Sequence, residues 1–248
     1  MCTVVFLRRP DHEWPLILAA NRDEMADRPW RPPGRHWRDR DVVAGLDVLA
    51  GGTWLGINDQ GVVAGVLNRP GTLGPAEGMR SRGELPLEAL DHPDAVAAVA
   101  ALRALDPRAW RPFNLFVADN RDAFWLRSAG DRITTFEIPV GLSMLTAHDL
   151  NDRDSARIRF YLPRFAAAPA PDPSSGDWAA WKGLLASREA EPEAGPQGAM
   201  TIVTPSGFGT VSSSLIALPS VAVAATRKPV WRFGQGHPDA IRFHDVTL

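Results

Sequence analysis

The chain holds a single cysteine, and it is residue 2. Cysteine is a small second residue of the kind an aminopeptidase accepts after methionine, so loss of Met1 would leave Cys2 as the N-terminus. An N-terminal cysteine carries its own base, an α-amine of pKa about 7.7–8.0 beside a thiol of about 8.5. The amine can take the thiol proton directly or through one water, which is how N-terminal nucleophiles are activated. The plainer alternative is a small residue opening the apolar strand Thr3-Val4-Val5-Phe6-Leu7.

A second concentration of polar chemistry is Asn21-Arg22-Asp23-Glu24, directly after the apolar run Leu16 to Ala20. Four hydrogen-bonding or charged residues at a strand end can present several side chains to one pocket. A carboxylate there orients an ammonium, while a guanidinium holds a substrate carboxylate or favours a thiolate. Asn21, Arg22 and Glu24 are therefore substrate-binding candidates, against the alternative of a solvated turn with local ion pairs. If the first two strands form a hairpin, the end of the second lies beside the start of the first, and Cys2 and Asp23 become neighbours. Arg22 and the ammonium then favour thiolate and set the Cys2 thiol below about 8.5, with burial working the other way.

Two further motifs are less specific. Gly51-Gly52-Thr53-Trp54-Leu55-Gly56 combines glycines that permit tight turning or close approach with Trp54 as a pocket wall. It lacks the Lys-Ser/Thr pair of a phosphate loop. In Val66-Leu67-Asn68-Arg69-Pro70-Gly71 the Asn68 amide can face an oxyanion or cap the turn. His148-Asp149 and Asn151-Asp152 either edge a site or form a loop before a helix. The six histidines show no paired metal-ligand spacing, so no metal is expected. Ser212-Ser213-Ser214 lacks the nucleophile elbow of serine hydrolases.

These groups must be positioned by the elements around them. Strands are expected at Thr3 to Leu7, Leu16 to Ala20, Val42 to Leu46, Trp54 to Ile57, Val62 to Leu67, Phe113 to Ala118, Ala123 to Arg127, Ile133 to Ile138 and Leu142 to Thr146. Turns fall at Asn58-Asp59-Gln60-Gly61 and Asp119-Asn120-Arg121-Asp122, and Arg28 to Arg40 reads as an irregular loop. Leu85 to Leu105 has helical spacing broken at Asp91-His92-Pro93, giving two helices, the second from about Pro93. Ser155 to Phe165 is helical, with Ile158, Tyr161, Leu162 and Phe165 on one face. Ala166 to Gly176 reads as a linker, Trp178 to Arg188 as a helix, and the stretch to Gly198 as a loop. Thr201 to Thr204, Thr210 to Leu218, Val221 to Thr226 and Val230 to Phe233 are strand-like. Strands in runs with helices in blocks favour antiparallel sheets with helices on their faces, an α+β layered sandwich in a single domain over residues 1–248.

With 45% apolar residues and a formal net charge of −2, the chain excludes wholesale disorder and offers no basic footprint for nucleic acid. One cysteine excludes an internal disulfide and a tetrathiolate zinc site. No apolar run approaches the ~20 residues of a membrane span, and the first run is too short for a signal-peptide core. A soluble, cytoplasmic protein with no membrane insertion is the expectation.

Taken together, these residues resemble the NRDE-domain family, also called the transport and Golgi organisation protein 2 family. The resemblance is carried by Met1-Cys2 before a strand, Ile17 to Glu24, Ala44-Gly45-Leu46-Asp47, Gly51 to Gly56, Ser81-Arg82-Gly83-Glu84-Leu85, Phe113-Asn114-Leu115 and Gly209-Thr210 with Ser212 to Ser214. It implies an N-terminal-nucleophile hydrolase fold, a four-layer αββα sandwich. It also implies kinship with the choloylglycine hydrolase and penicillin acylase group, which cleaves carbon–nitrogen amide bonds. By that resemblance Cys2 is the nucleophile, Asp23 the carboxylate that positions its amine, and Asn68 an oxyanion-hole donor. The group's arginine three residues before the aspartate falls on Ala20, with Arg22 nearby. A second asparagine falls on Ala147, with Asn151 displaced from it, and a later arginine falls on Val211. The expected function is an N-terminal cysteine hydrolase of a linear amide or related acyl bond, with no cofactor. The alternative is a non-catalytic binder or carrier of haem or an acyl ligand, since members of the family have been implicated in haem handling and in lipid or acyl-CoA metabolism. A third reading leaves Cys2 as a packed residue of a fold relic.

Overall fold

The β-branched and apolar run Thr3–Arg8 forms strand β1 and Leu16–Met25 forms β2 in the computed structural model, which describes residues 2–237 and 242–248. The two strands are antiparallel neighbours, with Thr3 opposite Asn21 and Arg8 opposite Leu16. Numbering elements in chain order, the same compact unit (residues 1–28 and 139–246) contains β10 (Gly141–Leu145), β11 (Phe208–Leu218), β12 (Val230–Gln235) and β13 (His244–Asp245). Its six-stranded antiparallel sheet runs β10-β1-β2-β11-β12-β13. Helices α3 (Ala156–Ala167) and α4 (Ala179–Ala186) cover one face. There Val5, Ile17, Ala19, Met144 and Leu215 pack against Ile158, Tyr161, Phe165, Trp178, Trp181 and Leu185. Because side chains alternate along a strand, the odd-numbered residues of β2 face these helices, and the alternation carries Asn21 and Asp23 to the same side.

The second unit, residues 29–138 with 247–248, is a seven-stranded antiparallel meander in strict chain order. Its strands are β3 (Trp30–Gly34), β4 (Val42–Asp47), β5 (Leu55–Asn58), β6 (Val63–Asn68), β7 (Phe113–Ala118), β8 (Ala123–Ser128) and β9 (Ile133–Glu137). Helices α1 (Glu84–Leu90) and α2 (Ala95–Leu102) lie on it, joining Leu85, Leu90, Val99 and Leu102 to Val62, Ala64, Leu115, Val117 and Leu126. Asn58 locks the β5–β6 turn: its Oδ1 accepts from Gln60 N and Val62 N, while its Nδ2 donates to Leu90 O and His92 O. The glycine motif has a backbone reason. A Cβ on Gly52 would stand 2.4 Å from the carbonyl carbon of Gly83, and Thr53 N donates to Gly83 O at 2.8 Å. Each unit thus supplies one antiparallel sheet and one pair of helices, the pieces of the expected α+β layered fold.

Several elements differ from expectation. The Arg28 to Arg40 loop contains strand β3, because Pro32 and Pro33 sit on an edge strand where a register shift between Arg31 and Gly34 spares the ladder. The tetrad lies inside β2 rather than beyond it, since β11 is long enough to pair as far as Met25. Thr201 to Thr204 contributes only an isolated bridge from Val203 to Gly209, its first hydroxyl being directed to Leu185 O. Val221 to Thr226 forms successive turns: Val223 N reaches Ser220 O and Thr226 N reaches Val223 O, so β-propensity without a neighbouring strand makes no strand. The short β13 was not signalled by pattern. Helix α2 starts at Ala95, capped by the Asp94 carboxylate accepting from Ala97 N at 2.7 Å.

Candidate active site

The β1–β2 hairpin register brings Cys2 and Asp23 together. The Asp23 backbone N–H donates to Cys2 Sγ at 3.4 Å, and the sulfur lies 3.6 Å from Asp23 O. Cys2 is half-buried and free. Its thiol is raised above its ordinary value, first by burial and then by the Asp23 charge, while the Asp23 N–H and the Arg22 guanidinium pull down. In the chain that carries Met1, desolvation of the anion thus outweighs the nearby positive charge.

The Asp23 carboxylate is enclosed on the helix-covered side of the sheet, with both oxygens engaged. Oδ1 accepts from Thr210 Oγ1 at 2.6 Å and Oδ2 from Arg157 Nη1 at 3.3 Å. Thr210 stands directly opposite Asp23 on β11, just before a bulge that shifts the register to Ser212. Its hydroxyl also accepts from Ile202 N at 2.9 Å. Arg157 comes from the first turn of α3, whose N-cap is Ser155. The same Nη1 donates to Thr3 Oγ1 at 2.6 Å, and Nη2 donates to Gln197 O at 2.9 Å. Thr3, Arg157 and Thr210 are buried, at 0%, 3% and 0% exposure, so this is a charge-paired interior and not a solvated turn.

The rest of the tetrad divides by face. Asn21 is buried on the Asp23 side and committed to the protein: Nδ2 donates to Leu185 O and Met200 O, each at 2.9 Å, and Oδ1 accepts from Ser213 Oγ at 2.6 Å. These contacts tie α4 and the Met200 segment to the sheet. Arg22 and Glu24 project from the opposite face by alternation, where Arg22 Nη2 lies 3.5 Å from Glu24 Oε2 and Arg28 Nε 3.7 Å from the same oxygen. Separately, a cavity of about 380 Å³ is bounded by Arg188, Glu191, Pro192, Pro196, Thr201 and Val203.

In the second unit, Trp54 packs edge-to-face on Trp30 with centroids 5.6 Å apart, and its ring lies where a Cβ on Gly45 would fall, 2.3 Å away. Asn68 is half-buried at the end of β6, opposite Phe113. Asn151 adopts φ 58° and serves the sheet edge: its N donates to Met144 O, its Oδ1 accepts from Met144 N, and its Nδ2 donates to Ser143 Oγ. His148 Nδ1 lies 3.6 Å from Asp152 Oδ2. Among the described residues, no group of three or more metal-ligating side chains converges, and no helix is long and apolar enough to cross a membrane.

Arg157 and Thr210 are absent from the sequence-level site. The signal for Arg157 is its register: it sits four residues before Tyr161 and eight before Phe165, on the buried stripe of α3. A cation at the head of an apolar stripe needs a buried anion. Thr210 carries no such signal beyond its place in the Gly209-Thr210 motif of the family resemblance.

Comparison with known proteins identifies the family and the fold. Residues 1–162 match the family described as Transport and Golgi organisation 2. The Transport and Golgi organization protein 2 homolog of Bos taurus is 35% identical over 129 residues, 48% of this chain and 45% of that protein. The Homo sapiens homolog is 32% identical over 128 residues, with the same coverages of 48% and 45%. These alignments therefore take in less than half of each relative's length. Among solved structures, a conjugated bile acid hydrolase from Clostridium perfringens superposes with a TM-score of 0.55 at 12% identity, over 100% of this chain and 97% of that one. Penicillin V acylase from Agrobacterium tumefaciens gives 0.54 at 14% identity, over 99% and 86%. The N-acylethanolamine-hydrolyzing acid amidase ortholog of Caenorhabditis elegans gives 0.52 at 12%, over 92% and 98%. At these identities the likeness establishes the fold, that of the N-terminal-nucleophile hydrolases. Since the family match extends over residues 1–162 of 248, the chain belongs to the Transport and Golgi organisation 2 family.

Proposed function

We propose that this protein is an N-terminal cysteine hydrolase acting on a linear amide or a related acyl bond. The observation that carries the reading is the contact of Cys2 Sγ with the Asp23 backbone, above a carboxylate fixed by Arg157 and Thr210. Removal of Met1 creates the base. The freed α-amine takes the thiol proton, and the thiolate attacks the acyl carbon to form a tetrahedral adduct. The ammonium then protonates the leaving nitrogen, the carbon–nitrogen bond breaks, and a thioester remains on Cys2. Water attacks that thioester with the amine accepting its proton, releasing the acid and restoring the thiol. The Asp23 N–H, aimed at the sulfur, favours the thiolate that starts the cycle.

The test is an intact-mass measurement on protein made in cells, followed by hydrolysis of a panel of N-acyl aryl amides. Loss of Met1 and a fall of about 10²-fold or more for Cys2→Ala are expected, on the scale of removing a nucleophile. Quantitative retention of Met1, or hydrolysis that ignores Cys2→Ala, would overturn the proposal.

A further inference from the structure

The Arg157 guanidinium grips both strands at the nucleophile. A single nitrogen, Nη1, donates to Thr3 Oγ1 on the residue following Cys2 and to Asp23 Oδ2 on the residue whose backbone touches Sγ. Nη2 fixes the guanidinium from behind on Gln197 O. The planar fork of arginine makes such a three-way grip directional, which a lysine ammonium on a flexible stem cannot reproduce. The pair is enclosed, with the Asp23 side chain 0% and the Arg157 side chain 3% exposed. Solvent therefore cannot substitute for either partner, and the cost of losing one is that of an uncompensated buried charge.

We infer that Arg157 is a positioning residue for Cys2, setting the sulfur through Thr3 on one side and Asp23 on the other. This rests on Cys2 being the nucleophile of the proposed reaction. Arg157 touches no reacting atom in that scheme. Its effect is geometric: displacement of the sulfur by about 1 Å from the acyl carbon is enough to cost on the order of 10² in rate.

The experiment uses the full chain and two readouts: iodoacetamide alkylation of Cys2 at one fixed pH, and kcat and KM on the most rapidly cleaved N-acyl aryl amide. Arg157→Lys tests direction against charge, Arg157→Ala tests chemical rescue by added guanidinium, and Thr3→Val removes one acceptor with little change of shape. Arg157→Lys should lower kcat about 10²-fold with KM changed less than threefold, and Thr3→Val should lower it about tenfold with Thr3→Ser near wild type. Guanidinium should restore at least tenfold of the rate lost in Arg157→Ala, which a merely structural loss would not allow. If Arg157→Ala does not fold, Thr3→Val and Arg157→Lys decide. Wild-type kcat and alkylation in both of those would overturn the inference. A protein that cleaves no amide but whose Cys2 alkylation changes tenfold or more in Arg157→Lys would retain the positioning role and refute the hydrolase reading instead.

Discussion

Replacing Asn21 tests whether the head of the tetrad is a clamp. Three hydrogen bonds end on its side chain: two from Nδ2, to Leu185 O and Met200 O, and one into Oδ1 from Ser213 Oγ. At about 1 kcal/mol net for each, Asn21→Ala loses about 3 kcal/mol. Leu185 O keeps the Thr201 hydroxyl at 2.8 Å, whereas Met200 O is left with a distant 3.5 Å contact from Thr210 Oγ1, so the figure is nearer a floor. Asn21→Asp should be worse, at about 4 kcal/mol or more, because an acceptor-only group then faces two carbonyl oxygens in the interior. Ser213→Ala alone should cost about 1–2 kcal/mol, and the double variant Asn21→Ala/Ser213→Ala should show about 1 kcal/mol of coupling. In a chain of this size each kcal/mol is about 2–4 °C, so Asn21→Ala should melt roughly 6–12 °C lower. Urea titrations followed by tryptophan fluorescence, which reads Trp178 and Trp181 in the adjoining core, and by far-UV circular dichroism supply the free energies. A loss below about 1 kcal/mol for Asn21→Ala, or strict additivity with Ser213→Ala, refutes the clamp.

Other outcomes follow from the same geometry. In chain that retains Met1, the Cys2 thiol is raised by burial and by Asp23, so thiolate forms only as pH climbs past the ordinary value near 8.5. Iodoacetamide rates should therefore still be rising at pH 8.5, and Asp23→Asn, by deleting the opposing charge, should move the profile to lower pH; a plateau by pH 7.5 would contradict this. Gly52→Ala forces a Cβ to within 2.4 Å of the Gly83 backbone and should cost about 2 kcal/mol or more in urea titration, with an unchanged midpoint showing that the two segments separate freely.

How much of this was legible without coordinates depends on whether the governing contact was local. The hairpin of β1 and β2 is local, so the meeting of Cys2 and Asp23 follows from strand periodicity and a short connection. The alternation within the tetrad follows too once the strand is extended through Glu24, but that extension is set by β11, almost two hundred residues away. The Asp23 partners were invisible for the same reason: Thr210 and Arg157 are joined to it only by sheet order and helix packing. Edge effects misled in both directions. Proline made Trp30–Gly34 look structureless although an edge tolerates it, and β-branched residues made Val221 to Thr226 look like a strand although no strand among the described residues pairs with it. The thiol is a matter of magnitude, since counting nearby charges says nothing of how much solvent the anion surrenders.

The separation between Asp23 and Thr210, 187 positions along the chain, also sets an order of events during synthesis. At about 5–20 residues per second, roughly 10–40 s pass between the emergence of the carboxylate and that of its hydroxyl partner. Arg157 arrives earlier, 134 positions behind Asp23, yet it acts only once α3 has docked. Throughout that interval Asp23 lacks the Thr210 hydroxyl that later encloses it. The ion pair closes only after most of the polypeptide has been made, so a nascent chain truncated before α3 carries Asp23 without its Arg157 partner.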